Sequence, residues 1–107
     1  DAGALAALKP DPKDPDSRVM TGTLLSYRPT TSTLLIANGT SNIESLNNVI
    51  CKYNKDTRLY IDGQPATLDQ FQQYMTVTIR GRVTDSYLLI QEAYFSSTLP
   101  KNVKKEQ

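Results

Sequence analysis

Apolar and polar positions alternate most clearly over residues 75–83. Met75, Val77, Ile79 and Gly81 are separated by Thr76, Thr78, Arg80 and Arg82, the period of a strand with one face on a core and one in water. Thr84-Asp85-Ser86 then turns the chain, and residues 87–95 form a second strand that is almost wholly apolar or aromatic from Tyr87 to Ile90. A strand of that kind is covered on both sides or bends at a barrel corner. The two read together as an antiparallel hairpin.

The same pattern recurs upstream. Residues 19–27 and 31–37 are strand candidates joined by Arg28-Pro29-Thr30, where proline fixes φ and lacks a ladder donor. Residues 49–53 and 58–61 follow, separated by a turn at 54–56. Asp62-Gly63 is a strong turn signal, as is Asn38-Gly39, because both residue types tolerate positive φ. Ser41-Asn42-Ile43-Glu44 has capping-box spacing, so a short helix with Ile43 and Leu46 inward competes there with a strand or loop. Thr67-Leu68-Asp69-Gln70 has the same spacing, and Leu68 and Phe71 anchor the single helical turn expected at that point.

The fold class that follows is all-β. A flat sheet leaves two edges and an apolar strand unprotected, whereas closure removes that liability. The expected architecture is a small five- or six-stranded, partly open barrel of the oligonucleotide/oligosaccharide-binding (OB-like) type, with one short helix before the fourth main strand. A compact sandwich or curled sheet is the alternative. The expected core is Val19, Leu24, Leu34, Ile36, Val49, Cys51, Leu59, Ile61, Leu68, Phe71, Met75, Val77, Ile79, Leu89 and Ile90.

A chain of 107 residues suits one cooperative domain. Residues 1–18 divide into an alanine-rich start, with a possible turn of helix over 1–8, and the run Lys-Pro-Asp-Pro-Lys-Asp-Pro-Asp-Ser, whose prolines block helix and ladder. That stretch is an extended arm or linker, either a spacer or an arm packed on the domain. Residues 19–99 are the barrel domain, and 100–107 a basic tail. The chain starts at Asp1 rather than methionine, as one cut from a signal peptide or anchor, or a cloned fragment, would.

A resemblance adds to this. Thr21-Gly22-Thr23-Leu24-Leu25, Thr33-Leu34-Leu35-Ile36, the run from Leu59 through Asp62-Gly63 and Thr67-Leu68-Asp69-Gln70 to Phe71, and then Met75-Thr76-Val77-Thr78-Ile79-Arg80-Gly81 resemble the uncharacterised small β-barrel domains of bacterial envelope proteins. Phe71 stands where leucine is usual there, Tyr74-Met75 replaces a Gly-Asp turn, and the 38–48 insertion is longer. The resemblance implies a barrel-like fold and an extracytoplasmic or cell-envelope location, with the cytoplasm as the alternative; it implies no catalytic residue.

Composition narrows the chemistry. With no histidine, imidazole triads and the commonest transition-metal ligand are gone. One cysteine rules out an intrachain disulfide and a cysteine-based zinc site, and Cys51 reads as a buried thiol or, less simply, a reactive one. No stretch approaches the roughly 18 apolar residues of a membrane helix. Asn38-Gly39-Thr40 matches the N-glycosylation acceptor but serves equally as a turn. Asp62 and Asp69 are the carboxylates that a glycosidase-like pair would need, and a turn former and a helix-start residue are the simpler readings. No enzyme activity and no cofactor are expected.

The net charge is +1, and residues 19–99 carry six bases against six acids. Binding dominated by phosphate neutralisation shows a basic excess instead. Single-stranded nucleic acid at Arg58, Tyr60, Arg80, Arg82 and Tyr87 is therefore the alternative function. The preferred one is a non-catalytic protein-interaction or assembly module, with a protein partner or self-association through tyrosines such as Tyr27, Tyr53 and Tyr94.

Overall fold

A computed structural model describes residues 8–38 and 48–97. Among these residues the strands are β1 Ser17–Arg28, β2 Thr33–Asn38, β3 Asn48–Lys52, β4 Arg58–Ile61, β5 Gln64–Pro65, β6 Thr76–Val83 and β7 Leu88–Ser96. β1 serves two neighbours. Its first half pairs antiparallel with β6, from Ser17–Arg82 to Thr23–Thr76, and its second half with β2, from Gly22–Asn38 to Arg28–Thr33.

A strand shared in this way has to bend, and it bends where a side chain has no room. A Cβ on Gly22 would lie 2.3 Å from the Ala37 carbonyl oxygen, so only glycine lets the two backbones approach. Between Leu24 and Ser26 the ladder to β2 is bulged, which adds twist. β2 continues antiparallel into β3 and β6 into β7, and β3 meets β7 in parallel at Cys51–Leu88 and Lys52–Leu89. The order β3-β2-β1-β6-β7 therefore returns on itself, giving an all-β, OB-like barrel that is partly open along the short β3–β7 seam.

β4 extends the other half of β7 in parallel, from Arg58–Glu92 to Ile61–Phe95, and β5 folds back on β4. The expected turn at Asp62-Gly63 makes this last hairpin, with φ of 51° and 83°, both positive as a type I′ turn requires.

Met75, Val77 and Ile79 all face the interior, as their alternation predicts, against Leu24, Leu34, Ile36, Cys51, Ile90 and Phe95. Two expected core residues differ. Val19 pairs with outward-facing Arg80 and is half-buried, while its neighbour Met20 packs on the core. Leu89 is half-buried between buried Leu88 and Ile90. The register of β7 slips at the Arg80/Gly81 position, where Arg80 pairs with Glu92 and Gly81 with Ile90. Gln91 is the extra residue, and it sets which side each β7 residue faces.

The helical turn expected before β6 is 3-10, Leu68–Gln70, and a second 3-10 turn, Pro29–Thr31, joins β1 to β2, so that β2 starts at Thr33 rather than Thr31. Gln70 Oε1 accepts the Thr67 N–H at 2.8 Å, the reciprocal bond of the expected capping box. This turn delivers Phe71 to one end of the barrel, where it stacks on Phe95 and receives the edge of Tyr27. Tyr74 N–H to Leu24 O (2.7 Å) and Leu24 N–H to Met75 O (2.8 Å) tie the plug to the bend in β1.

At the other end, Asp16 O accepts the Val83 N–H at 2.9 Å, Ser17 Oγ accepts the Asp11 N–H at 2.8 Å, and Asp14 pairs with Arg82 at 2.5 Å. The expectations for residues 1–7, the triplet Asn38-Gly39-Thr40 beyond Asn38, the capping box at 41–44 and the tail from 100 lie outside the described residues.

Candidate functional site

The outer face of β4, β7 and β6 gathers Arg58, Tyr60, Arg80, Glu92 and Tyr94. Glu92 is 8% exposed and is fully engaged. Its Oε2 accepts Arg80 Nε at 2.9 Å, Arg80 Nη2, and Arg58 Nη2 at 3.3 Å, while Oε1 accepts the Tyr94 hydroxyl at 2.6 Å. Burial pulls the Glu92 carboxyl up, but Tyr94, Arg80 and Arg58 together outweigh it and hold the group below the ordinary carboxylate range. The same hydrogen bond, helped by desolvation, pushes the Tyr94 phenol up to about 12. Tyr60 stacks on Tyr94, with centroids 5.0 Å apart and planes 8° from parallel.

Arg58, Tyr60 and Arg80 are thus brought together, but the Arg80 fork is committed to Glu92. Arg82 lies beyond the register slip, bound to Asp14 at 2.5 Å and near Asp16 at 3.8 Å. Tyr87 stands apart from this cluster, its ring 4.9 Å below the Lys52 ammonium, on the lining of a cleft at the open end of the barrel. Beside Arg58, a recess of about 340 Å³ between the end of β3 and the start of β4 is lined by Asn54, Asp56, Arg80 and Gln91.

The tyrosines expected to make protein contacts occupy three different places. Tyr27 is edge-on to Phe71 at 6.4 Å and 88°, Tyr53 packs against the core just past β3, and Tyr94 belongs to the Glu92 cluster. Asp62 accepts Ser97 N–H (3.1 Å) and Oγ (2.6 Å), and Asp69 accepts the Thr67 hydroxyl. Both carboxylates hold local structure.

The end of the barrel opposite Phe71 is open. The start of β1, the start of β3, the end of β6 and the β6–β7 turn meet there around a cleft of about 470 Å³, lined chiefly by Arg18, Met20, Val49, Ile50, Val83 and Leu88. Ile50 and Val83, 47% and 46% exposed, are the exposed large hydrophobics among the described residues, and both lie on this cleft. Sequence reasoning did not single it out. The signal was present at Ile50: with Val49 and Cys51 assigned inward, alternation leaves a large apolar side chain facing out.

No protein-family model matches the sequence, and no curated protein matches it. Solved structures match at the level of fold. The crystal structure of Ag(I)CusF superposes with a TM-score of 0.57 at 11% identity, covering 77% of this chain and 100% of that one. A CusF fragment from Escherichia coli, a tryptophan-to-alanine variant with Cu(II), gives 0.57 at 10% identity over 81% and 100%, and apo-CusF from the same organism gives 0.56 at 10% over 81% and 95%. The barrel is therefore shared, at an identity that carries the fold alone.

The soft Ag(I) ion of the first structure calls for thiolate, thioether or imidazole donors. This chain has no histidine, and its two methionines sit at different levels of the barrel. Met20 lies opposite Ile79, whereas Met75 adjoins Leu24, four residues farther along β1, or about 13 Å at strand rise. Desolvation pushes the Cys51 thiol up to about 12, so it is a protonated thiol. Among the described residues no group of three or more His, Cys, Asp or Glu could hold a metal ion. Among the described residues the donor set does not fit a soft ion such as Ag(I).

Proposed function

We propose that the chain is a non-catalytic protein-interaction module of an extracytoplasmic or envelope-associated protein, and that it docks through the open end of the barrel. The observation that carries this reading is the coincidence of Ile50 and Val83, the exposed large hydrophobics among the described residues, on one apolar cleft. An apolar recess rimmed by polar residues has the build of a small protein-interaction site. The location is supported by the resemblance to envelope domains from Thr21 to Ile90. Among the described residues, no helix is long and apolar enough to cross a membrane.

Single-stranded nucleic acid at Arg58, Tyr60 and Arg80 is the weaker reading, because both guanidinium groups turn onto Glu92. It requires oligonucleotide binding at low salt that fades steeply as salt rises.

The test is photo-crosslinking in the full-length protein, with the reactive side chain at Ile50 or Val83 and, as controls, at the outward positions Thr21 and Thr78. Adducts specific to the cleft positions, formed by a partner whose purified form loses affinity for Ile50→Asp and Val83→Asp, support the proposal. Equal crosslinking at Thr21 and Thr78, or unchanged affinity of both variants, sinks it.

A further inference from the structure

We propose that the partner enters the open end as an extended strand that adds to the edge of β3, which beyond Cys51 no strand covers among the described residues. This rests on the protein-interaction reading and specifies how the contact is made.

The backbone of β3 shows which groups are free. Tyr53 N–H donates to Ser32 O at 3.0 Å, in line with the β2–β3 register that pairs Leu34 with Cys51 and Ile36 with Val49. Hydrogen-bonded pairs alternate in an antiparallel ladder, so Tyr53, Cys51 and Val49 turn their N–H and C=O toward β2. Lys52, Ile50 and Asn48 turn theirs away from it, toward the seam. β7 pairs with β3 only at Cys51 and Lys52. Beyond that point, the N–H of Ile50 and both backbone groups of Asn48 meet no strand among the described residues.

The surroundings define what fits. Met20, Val49, Val83 and Leu88 make the cleft beside this edge apolar, and a strand laid along it sends alternate side chains to that side. Arg18 is the formally charged residue of the lining. Its Nη1 is held by the carbonyls of Pro15 and Ser17, and although its charge helps hold Asp14 low it forms none of the close ion pairs found among the described residues. The occupant is accordingly an extended segment of a partner protein, apolar at alternate positions with an acidic residue at the end nearest Arg18. Main-chain bonds give such a contact its affinity and the alternate pockets its specificity.

The experiment fuses a short probe peptide, alternating valine and threonine and ending in glutamate, to the chain through a flexible glycine-serine linker, which presents it at about millimolar effective concentration. The control carries proline at alternate positions and cannot form a ladder. Amide hydrogen exchange read by NMR should slow by about tenfold or more at Asn48 and Ile50 with the probe and stay unchanged with the control. Arg18→Glu should reduce the slowing.

Unchanged exchange at Ile50, or equal slowing with the proline control, overturns strand addition. So does a second copy of the chain occupying the edge, seen by sedimentation as a dimer without any probe. Failure here with cleft-specific crosslinks at Ile50 removes the strand mode and leaves the interaction site. Slowed exchange without such crosslinks removes the interaction reading instead.

Discussion

Phe71 lies against Phe95 with ring centroids 4.3 Å apart and planes inclined by 27°. One ring comes from the loop before β6 and the other from the last strand, so the pair joins a local turn to the far end of the chain. Both are buried, at 5% and 2% exposure. Phe71→Ala should cost about 3 kcal/mol or more by emptying the end of the barrel, seen as a fall in Tm of more than about 10 °C. Phe71→Leu, which keeps most of the volume, should cost about 1 kcal/mol. A melt in which both variants match the parent would show that this end is not packed as described.

The Glu92 cluster makes stability depend on acid. A carboxyl whose folded pKa lies below its ordinary value of 4.5 contributes stability that is present above that value and is lost as pH falls through the lowered one. Glu92→Gln should flatten the acid limb of stability measured by urea unfolding between about pH 7 and pH 3. The limb should shrink rather than vanish, since Asp14 and Asp62 are also held low, first by the Asp16 N–H and the Ser97 hydroxyl respectively. Tyr94 should report the same change in ultraviolet titration, falling from about 12 toward its ordinary 10.0. At neutral pH, Glu92→Ala should cost about 3 kcal/mol, because it strands Arg80 in a partly buried setting.

Cys51 should be silent in the native state. Its side chain is fully buried and desolvation pushes the thiol up to about 12, so little thiolate exists at neutral pH. Reaction with a thiol reagent should be at least about a hundredfold slower than for free cysteine and become complete on adding denaturant. Fast native labelling would contradict both the burial and the argument against a soft-metal site.

Much of the barrel was legible because its information is local. The two-residue period over 75–83 placed Val77 and Ile79 inward without reference to any other segment, and Asp62-Gly63 announced its hairpin by residue type. What escaped is what distant registers decide. The extra residue Gln91 determines that Leu88 and Ile90, rather than Leu89, fill the core, and no alternation within 87–95 reveals a slip against β6. The two-residue strand β5 is too short to leave a periodic trace.

The candidate sites divide along the same line. Arg58 and Arg80 were visible as outward cations, but their neutralisation depends on the pairing of Arg58 and Arg80 with one residue of β7, Glu92. The apolar cleft depends on β3 and β7 parting after two pairs, and nothing near Asn48 encodes where a strand so far along the chain will begin. Ile50 was the exception.

The aromatic stack and the apolar opening occupy opposite poles of the molecule. What keeps the domain folded is thus physically removed from what it shows to the outside, and Arg18, Ile50 and Val83 contribute little to the buried interior. On the proposed docking reading, substitution at those three places should change what the domain recognises while leaving its melting behaviour nearly intact, so that one scaffold would serve successive companions without being rebuilt.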